Sequence, residues 1–316
     1  MSRGPGAVSP RNRLAIAGAR ATTAAMLRDQ PRGDVIRNAV FAALLLLAVL
    51  IALAGLLALL IQAFVEGAPA LSADLFTNPP STIFPEKAGF RPAIIGSLEL
   101  IAGVIVFVVP VGIGAAIYLE EYADNTRWWN RLIEVNIQNL AAVPSIIYGI
   151  LGLAFIVRGP LDLGFILVAG SLTLALLVLP MVIIAGREAL RAVPSSIREG
   201  SMALGATQWQ TIWRQVLPAA VPGIATGVIL ALSRAIGETA PLIVVGAATV
   251  VAFNPSGLDS DFTAMPIQIF DWISRASNNI NDYRPLAAAG ILLLMILLLA
   301  MNSVAIWLRN RYEQKW

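Results

Sequence analysis

The sequence predicts an all-α polytopic membrane protein that crosses the bilayer six times. Three observations carry that prediction. Of 316 residues, 58% are hydrophobic and 13% charged, about half the ~25% charged share of a soluble domain. The apolar residues gather into runs long enough for helices of about 20 residues, the length that crosses ~30 Å of hydrocarbon. Basic and acidic residues alternate between the connecting segments. Mean hydropathy is +0.77 and the pI 9.6. In a chain this apolar, the basic pI points to arginines facing a cytoplasm and an anionic leaflet rather than to nucleic acid. Cysteine and histidine are absent. That excludes disulfides, Cys/His metal sites, cysteine nucleophiles and histidine acid–base chemistry, and no cofactor is expected.

Residues 1–36 are rich in Gly, Pro, Ser and Arg, with no apolar core followed by a cleavage site, so they are not read as a secretory signal. They are expected to form a disordered cytoplasmic tail; the alternative is a membrane-surface helix over 14–27. The six spans are placed at 40–64, 94–118, 135–157, 163–185, 221–250 and 286–308. They make a transmembrane domain over 37–309, followed by a cytoplasmic tail at 310–316. Arginine and lysine are concentrated in the N-terminal tail, in segment 186–218 and in the C-terminal tail, while segments 65–91 and 252–284 are net acidic. The charge bias therefore puts both termini and segment 186–218 inside. Segment 119–134 departs from it, with Glu120, Glu121, Asp124 and Glu134 against two arginines. Acidic residues contribute little to orientation, so six spans are kept. Outside, segment 65–91 is proline-rich and reads as an ordered loop. Residues 266–273 read as a short helix lying at the outer surface.

Segment 186–218 reads as a helical hairpin. Ser196 and Glu199 have capping-box spacing, as do Thr207 and Gln210. Gly205 falls between the two helices, where positive φ is needed. Trp209, Ile212, Trp213 and Val216 recur at helical spacing and predict one apolar face. Such a hairpin either rests on the membrane surface or docks into a cytoplasmic protein groove. Pro218 and Pro222 start the fifth span.

That span carries the costliest residues. Arg234 and Glu238 sit four apart within an apolar run, and one charge at the bilayer centre costs roughly 2.5–3.5 kcal/mol on insertion scales. At 1.5 Å per residue, Arg234 lies about 24 Å above Pro218, and Glu99 on the second span about 28 Å above Tyr118. The three charges are thus expected at similar depth in the outer half of the bilayer. Thr239 and Pro241 interrupt the helix, and backbone freed at that depth is tolerated against protein or a water-filled cavity. Arg234 either contacts a translocating anion, with Glu238 holding it when the site is empty, or forms a static pair with Glu238 or Glu99. Glu99 fits a water-exposed carboxylate equally well. Gly223 and Gly227 form a G-x-x-x-G stripe for close helix packing, against this chain or a partner chain. Gln138, Asn139 and Asn302 are read as interhelical hydrogen-bond formers, Trp128, Trp129, Trp209, Trp213 and Trp307 as interfacial anchors, and Arg187 as part of the inner charge bias.

The hairpin resembles the EAA loop of ABC-importer permeases: Glu199-Gly200-Ser201, then Gly205, then Gln215-Val216-Leu217-Pro218 stand at that motif's offsets. Gly200, Ser201 and Gln215 depart from its consensus. Arg234-Ala235-Ile236-Gly237-Glu238-Thr239 is similar to the permeases of the Pst phosphate importer, and Thr239-Ala240-Pro241-Leu242 resembles their A-type subunit. Ala116–Ala123, Val143–Gly149 and the stretch from Met301 to Tyr312 match as well, so the resemblance covers about 35–315. It implies a type I importer permease fold that carries phosphate in a heterodimer with a C-type permease. Two copies of an ATPase and an external phosphate-binding protein complete the implied complex in a cell inner membrane. From their depth and the helix break, Arg234, Glu238, Thr239 and Glu99 are expected to line the pathway; the resemblance implies that the hairpin docks on the ATPase, with Glu199, Gly205, Trp209, Leu217 and Pro218 expected to carry the coupling. No G-x-x-x-x-G-K-[ST] loop occurs in the chain, so ATP hydrolysis would belong to the partner. A permease for another oxyanion or small solute, or a membrane scaffold without transport, is the alternative. An intramembrane enzyme lacks the catalytic residues it would need.

Overall fold

The structure, a computed structural model, describes residues 32–124, 126–246, 251, 253–255, 257–275 and 282–312. The expectations for 1–31 and 313–316 fall outside these. The chain divides into two compact units, one ending at Gln62 and one running from Ala63. Helix α1, Arg32–Gly67, begins in the first. It has no charged residue between Arg37 and Glu66 and is apolar all round, as a lipid-facing span is.

The second unit holds the rest. Helix α2 is Arg91–Ile117 and continues as a π-helical turn, Tyr118–Tyr122. After it come α3, Trp128–Ala141, and α4, Ser145–Leu151, the latter extended by a π turn over Gly152–Val157. Then α5 spans Leu167–Arg191 and α6 Ser195–Ala203. Helix α7, Gln208–Thr211, passes through a π turn, Ile212–Val216, into α8, Leu217–Gly237. Last are α9, Ala240–Val244, α10, Met265–Ser274, and α11, Arg284–Tyr312. Among the described residues, five helices are long and apolar enough to cross a membrane, or six when a bent pair is taken as one span.

That pair is the third span, which the sequence placed as one helix over 135–157. Its halves, Trp128–Ala141 and Ser145–Val157, are bent by 109° relative to each other. Pro144 explains the break: it cannot donate to the preceding turn and pushes Val143 out of helical geometry. The fifth span also ends early, at Gly237 rather than 250, because Glu238 is extended (φ −75°, ψ 119°). The chain then re-enters a helix at Ala240, with Pro241 in its first turn, where a missing N–H does no harm.

Helix α5 is the axis of the second unit, with α2 and α8 against it. Leu100, Val104, Val108, Leu174, Val178, Val182, Ala231 and Ala235 form one buried core. Small residues set the spacing. A Cβ on Gly186 would stand 2.8 Å from the Ala116 Cβ, and one on Gly223 2.8 Å from the Ala189 Cβ; Gly227 faces Ala185 in the same way. The G-x-x-x-G stripe therefore packs on the chain's own α5 rather than on a partner. Of the polar residues assigned to interhelical bonding, Asn302 accepts from the Ser233 hydroxyl at 2.7 Å; Gln138 and Asn139 make no such bond among the described residues.

The outer helix α10 does not lie on the surface. Met265, Pro266, Ile267, Gln268, Ile269 and Trp272 are buried, and Trp272 stacks obliquely on Phe90 with centroids 4.4 Å apart. The Gln268 amide donates to the Gly89 carbonyl at 2.8 Å, and the Met265 N–H to the Ser97 hydroxyl at 2.9 Å. The 65–91 segment closes the same cluster with Leu75, Ala88 and Phe90. Its peptide groups are satisfied in short turns, such as Phe90 N–H to the Leu75 carbonyl at 2.7 Å.

Candidate functional site

Arg234 lies in the last turn of α8, where a cation is favoured by the helix dipole. Its Nε donates to Glu238 Oε1 at 3.1 Å, and its Nη1 points at the Met181 sulfur, 3.5 Å away. A guanidinium has five N–H groups; the other three have no protein partner among the described residues. The Arg234 side chain is 43% exposed and that of Glu238 16%. Glu238 is the first residue of the elbow between α8 and α9, and Thr239 the second. The elbow is held from behind: Pro241 is seated on Gly149 of α4, where an added Cβ would lie 2.7 Å from Pro241 Cα and 3.0 Å from its carbonyl oxygen. Tyr148 beside it is buried, its hydroxyl donating to the Leu140 carbonyl at 2.8 Å across the α3–α4 bend. Two stretches that stood 85 residues apart in sequence, 143–149 and 234–241, thus build one site.

Glu99 is not brought to it. No ion pair joins Glu99 to Arg234 among the described residues. Glu99 lines a separate, largely apolar cavity of about 370 Å³ with Gly103, Val106, Phe107, Val168, Ser171 and Leu258. One of its carboxylate oxygens, Oε2, is buried with no hydrogen-bond partner. The static Arg234–Glu99 pair is therefore ruled out for this conformation, while the Arg234–Glu238 pair is present.

At the other end of α8 stands the hairpin. Gly205 has φ +85°, as its place between two helices requires, and its N–H closes on the Met202 carbonyl at 2.9 Å. Thr207 and Gln210 form the reciprocal capping box. Ser196 does not cap: α6 begins one residue earlier, at Ser195 after Pro194. Glu199 is exposed on α6. The four-residue apolar face is split by the π turn, which inserts an extra residue and rotates the register. Ile212 and Val216 are buried, whereas Trp209 and Trp213 stack on each other, 5.5 Å apart, with exposed rings. Leu217 and Pro218 are half-buried at the start of α8. Replacing Gly205 by alanine forces a Cβ into left-handed backbone, roughly 1–2 kcal/mol. The expected result is about 5- to 30-fold faster amide exchange over residues 201–206, read by hydrogen–deuterium exchange.

Sequence reasoning missed the ionic layer that surrounds the hairpin's base. Arg187 is buried, not a free inner charge. It donates to Glu120 at 3.4 Å and to Glu134 at 3.0 Å. Arg191 reaches both Glu120 oxygens at 3.0 Å, and Arg198 takes Glu121 through two nitrogens, the closer at 2.6 Å. The acidic run after the second span, anomalous for topology, is the partner set for these arginines. The one available signal was that mismatch.

The sequence model described as "Binding-protein-dependent transport system inner membrane component" matches residues 108–315. The chain is 35% identical over 257 residues to the phosphate transport system permease protein PstA of Haemophilus influenzae, covering 81% of this chain and 88% of that one. It is 30% identical over 260 residues to the probable ABC transporter permease protein YqgI of Bacillus subtilis, covering 79% and 87%. Among solved structures, a chain of a bacterial alginate ABC transporter superposes with TM-score 0.62 at 18% identity, over 89% of this chain and 98% of that chain. One from the MetNI methionine ABC transporter gives 0.58 at 19%, over 71% and 97%; these two show the fold alone. Permeases of this kind are non-catalytic and work with a separate ATPase and a substrate-binding protein. By its matched residues and its fold, the chain belongs to the inner-membrane permease components of binding-protein-dependent ABC importers, as a multi-pass membrane subunit.

Proposed function

We propose that the chain is the A-type permease of an ATP-driven importer of inorganic phosphate. It would form half of the pathway beside a C-type permease, on two copies of an ATPase, with an external phosphate-binding protein delivering the anion. Residues 37–309 would form the membrane domain, with the tails 1–36 and 310–316 and the hairpin 186–218 on the cytoplasmic side. Glu199, Gly205, Trp209, Leu217 and Pro218 are assigned to ATPase coupling; the exposure of Glu199 and of the Trp209 ring supports that role. The phosphate-transport names of the relatives support the substrate.

The observation that carries the reading is the half-used guanidinium at the elbow. The Arg234–Glu238 pair engages one nitrogen of a guanidinium that is 43% exposed, so the arginine is free to exchange it for an arriving anion. A charge-assisted hydrogen bond to an oxyanion contributes about 1.5–3 kcal/mol, enough to draw the arginine onto an arriving phosphate. Glu238, still 16% exposed beside it, then repels the anion and keeps its stay short. Thr239, in the same elbow, supplies a hydroxyl. Arginine suits this task because it stays charged and presents a fork to oxyanions. Glu99 stands apart from this group.

The test is phosphate uptake into cells or vesicles at matched levels of assembled complex. Arg234→Ala is expected to lower uptake about tenfold or more, and Arg234→Lys, which keeps the charge but not the fork, by less. Wild-type uptake in both variants would overturn the reading. Competition by other oxyanions in the same assay separates phosphate from the alternative substrates.

A further inference from the structure

We propose that Arg198 and Glu121 are positioning residues for coupling: their ion pair fastens the hairpin to the inner end of α2, so that a displacement of the hairpin moves α2 with it. The hairpin is joined covalently to α5 and to α8 only. Glu121, in the turn that follows α2, stands 77 residues before Arg198 in the chain, and without a lateral bond α2 could slide past the hairpin. The π turn at Tyr118–Tyr122 brings Glu121 under the hairpin, with its side chain 7% exposed and that of Arg198 21%. Arg198 Nη2 donates to Glu121 Oε1 at 2.6 Å, and Nε lies 3.2 Å from both oxygens. The same guanidinium donates to the Val193 and Leu190 carbonyls at 2.7 and 2.9 Å, which ties it to the end of α5 and the residues just after it.

The second hairpin helix holds the same residue from its other side. Gln208 Nε2 donates to the Glu121 carbonyl at 2.6 Å. Glu121 is thus gripped through its carboxylate by α6 and through its backbone by α7. Apolar contacts alone tolerate sliding, because dispersion is non-directional; a bidentate arginine–carboxylate pair fixes both distance and orientation. α2 also packs along α5 through Gly103 and Gly112, so a push at Glu121 passes along the helix as a rigid body. Arg187 and Arg191, on Glu120 and Glu134, extend the layer to α3.

The experiment measures phosphate moved per ATP hydrolysed by the complete transporter in proteoliposomes, with assembly quantified. It rests on the phosphate reading, so wild-type uptake is measured first. Its absence would fail that reading, whereas a wild-type ratio in Arg198→Met would fail this one. The expected result is a ratio lowered about tenfold in Arg198→Met while ATP hydrolysis continues, with partial recovery in the swapped pair Arg198→Glu/Glu121→Arg. Should Arg198→Met not assemble, Glu121→Gln, which keeps the shape, is read by the same ratio. An unchanged ratio in that variant overturns the proposal, as does a swap that restores assembly but not the ratio.

Discussion

Gly149→Leu is expected to abolish uptake in an assembled complex, and Gly149→Ala to lower it severalfold. The atoms that an added Cβ would meet are Pro241 Cα at 2.7 Å, its carbonyl oxygen at 3.0 Å and Val244 Cβ at 3.0 Å. Two of the three are backbone and cannot turn aside by changing rotamer. The elbow that carries Glu238 and Thr239 must move instead. Overpacking of this kind costs about 1–3 kcal/mol even for one or two added carbons, and four carbons exceed the space. The displaced elbow withdraws Glu238 from Arg234, whose partner geometry depends on a 3.1 Å contact. Gly114→Ala is the control, because a Cβ there meets nothing within 4 Å. Uptake is measured at equal amounts of membrane-assembled complex. Equal rates for Gly149→Leu and Gly114→Ala would show that the α4–elbow contact does not shape the site.

How much of this was legible in the sequence depended on the range of the physics involved. Most local signals read correctly, the Ser196–Glu199 spacing being the exception. Apolar runs gave the spans, Thr239 and Pro241 announced the elbow, Gly205 announced a left-handed residue, and Thr207 with Gln210 announced a cap. Each rests on neighbours within four residues. The bend at Pro144 was misread because hydropathy averaged over 135–157 runs across a break that one proline made, although Asn136, Gln138 and Asn139 stand just before it. The hairpin's apolar face was misread because a π turn shifts register by one residue and leaves no mark in composition. The ionic layer was illegible for a different reason. Glu120 and Glu121 find their arginines 67 to 77 residues away, and nothing in a sequence pairs charges at that distance. Glu99 shows the converse. Depth along a helix does not say which face a residue takes, and Glu99 faces another cavity.

The misplacement of α10 yields the second large effect. An outer amphipathic helix at the surface and a helix plugged into the outer core have the same periodicity; they differ in what covers the apolar face. Trp272 is fully buried between Phe90, 4.4 Å away, and Tyr283, 5.8 Å away, in a cluster with Met265, Ala287 and Leu293. Trp272→Ala removes the largest side chain of that cluster, and the surrounding helices can close the gap only in part. Truncations of this size cost about 3–5 kcal/mol, and at 1.4 kcal/mol per tenfold the lower bound is already about a hundredfold in the folding equilibrium. The expected result is little assembled protein in the membrane and a lowered melting point of the detergent-solubilised chain. Phe270, two residues earlier on the same helix, is 52% exposed, so Phe270→Ala should leave both within a few tenths of a kcal/mol of wild type, as surface changes do. A helix resting on the membrane would lose similar amounts from either aromatic. A large Trp272 effect beside a small Phe270 effect therefore distinguishes the plug from the surface helix. It also ties the stability of the outer core to Gln268 and Ser97, whose bonds set the angle at which α10 enters.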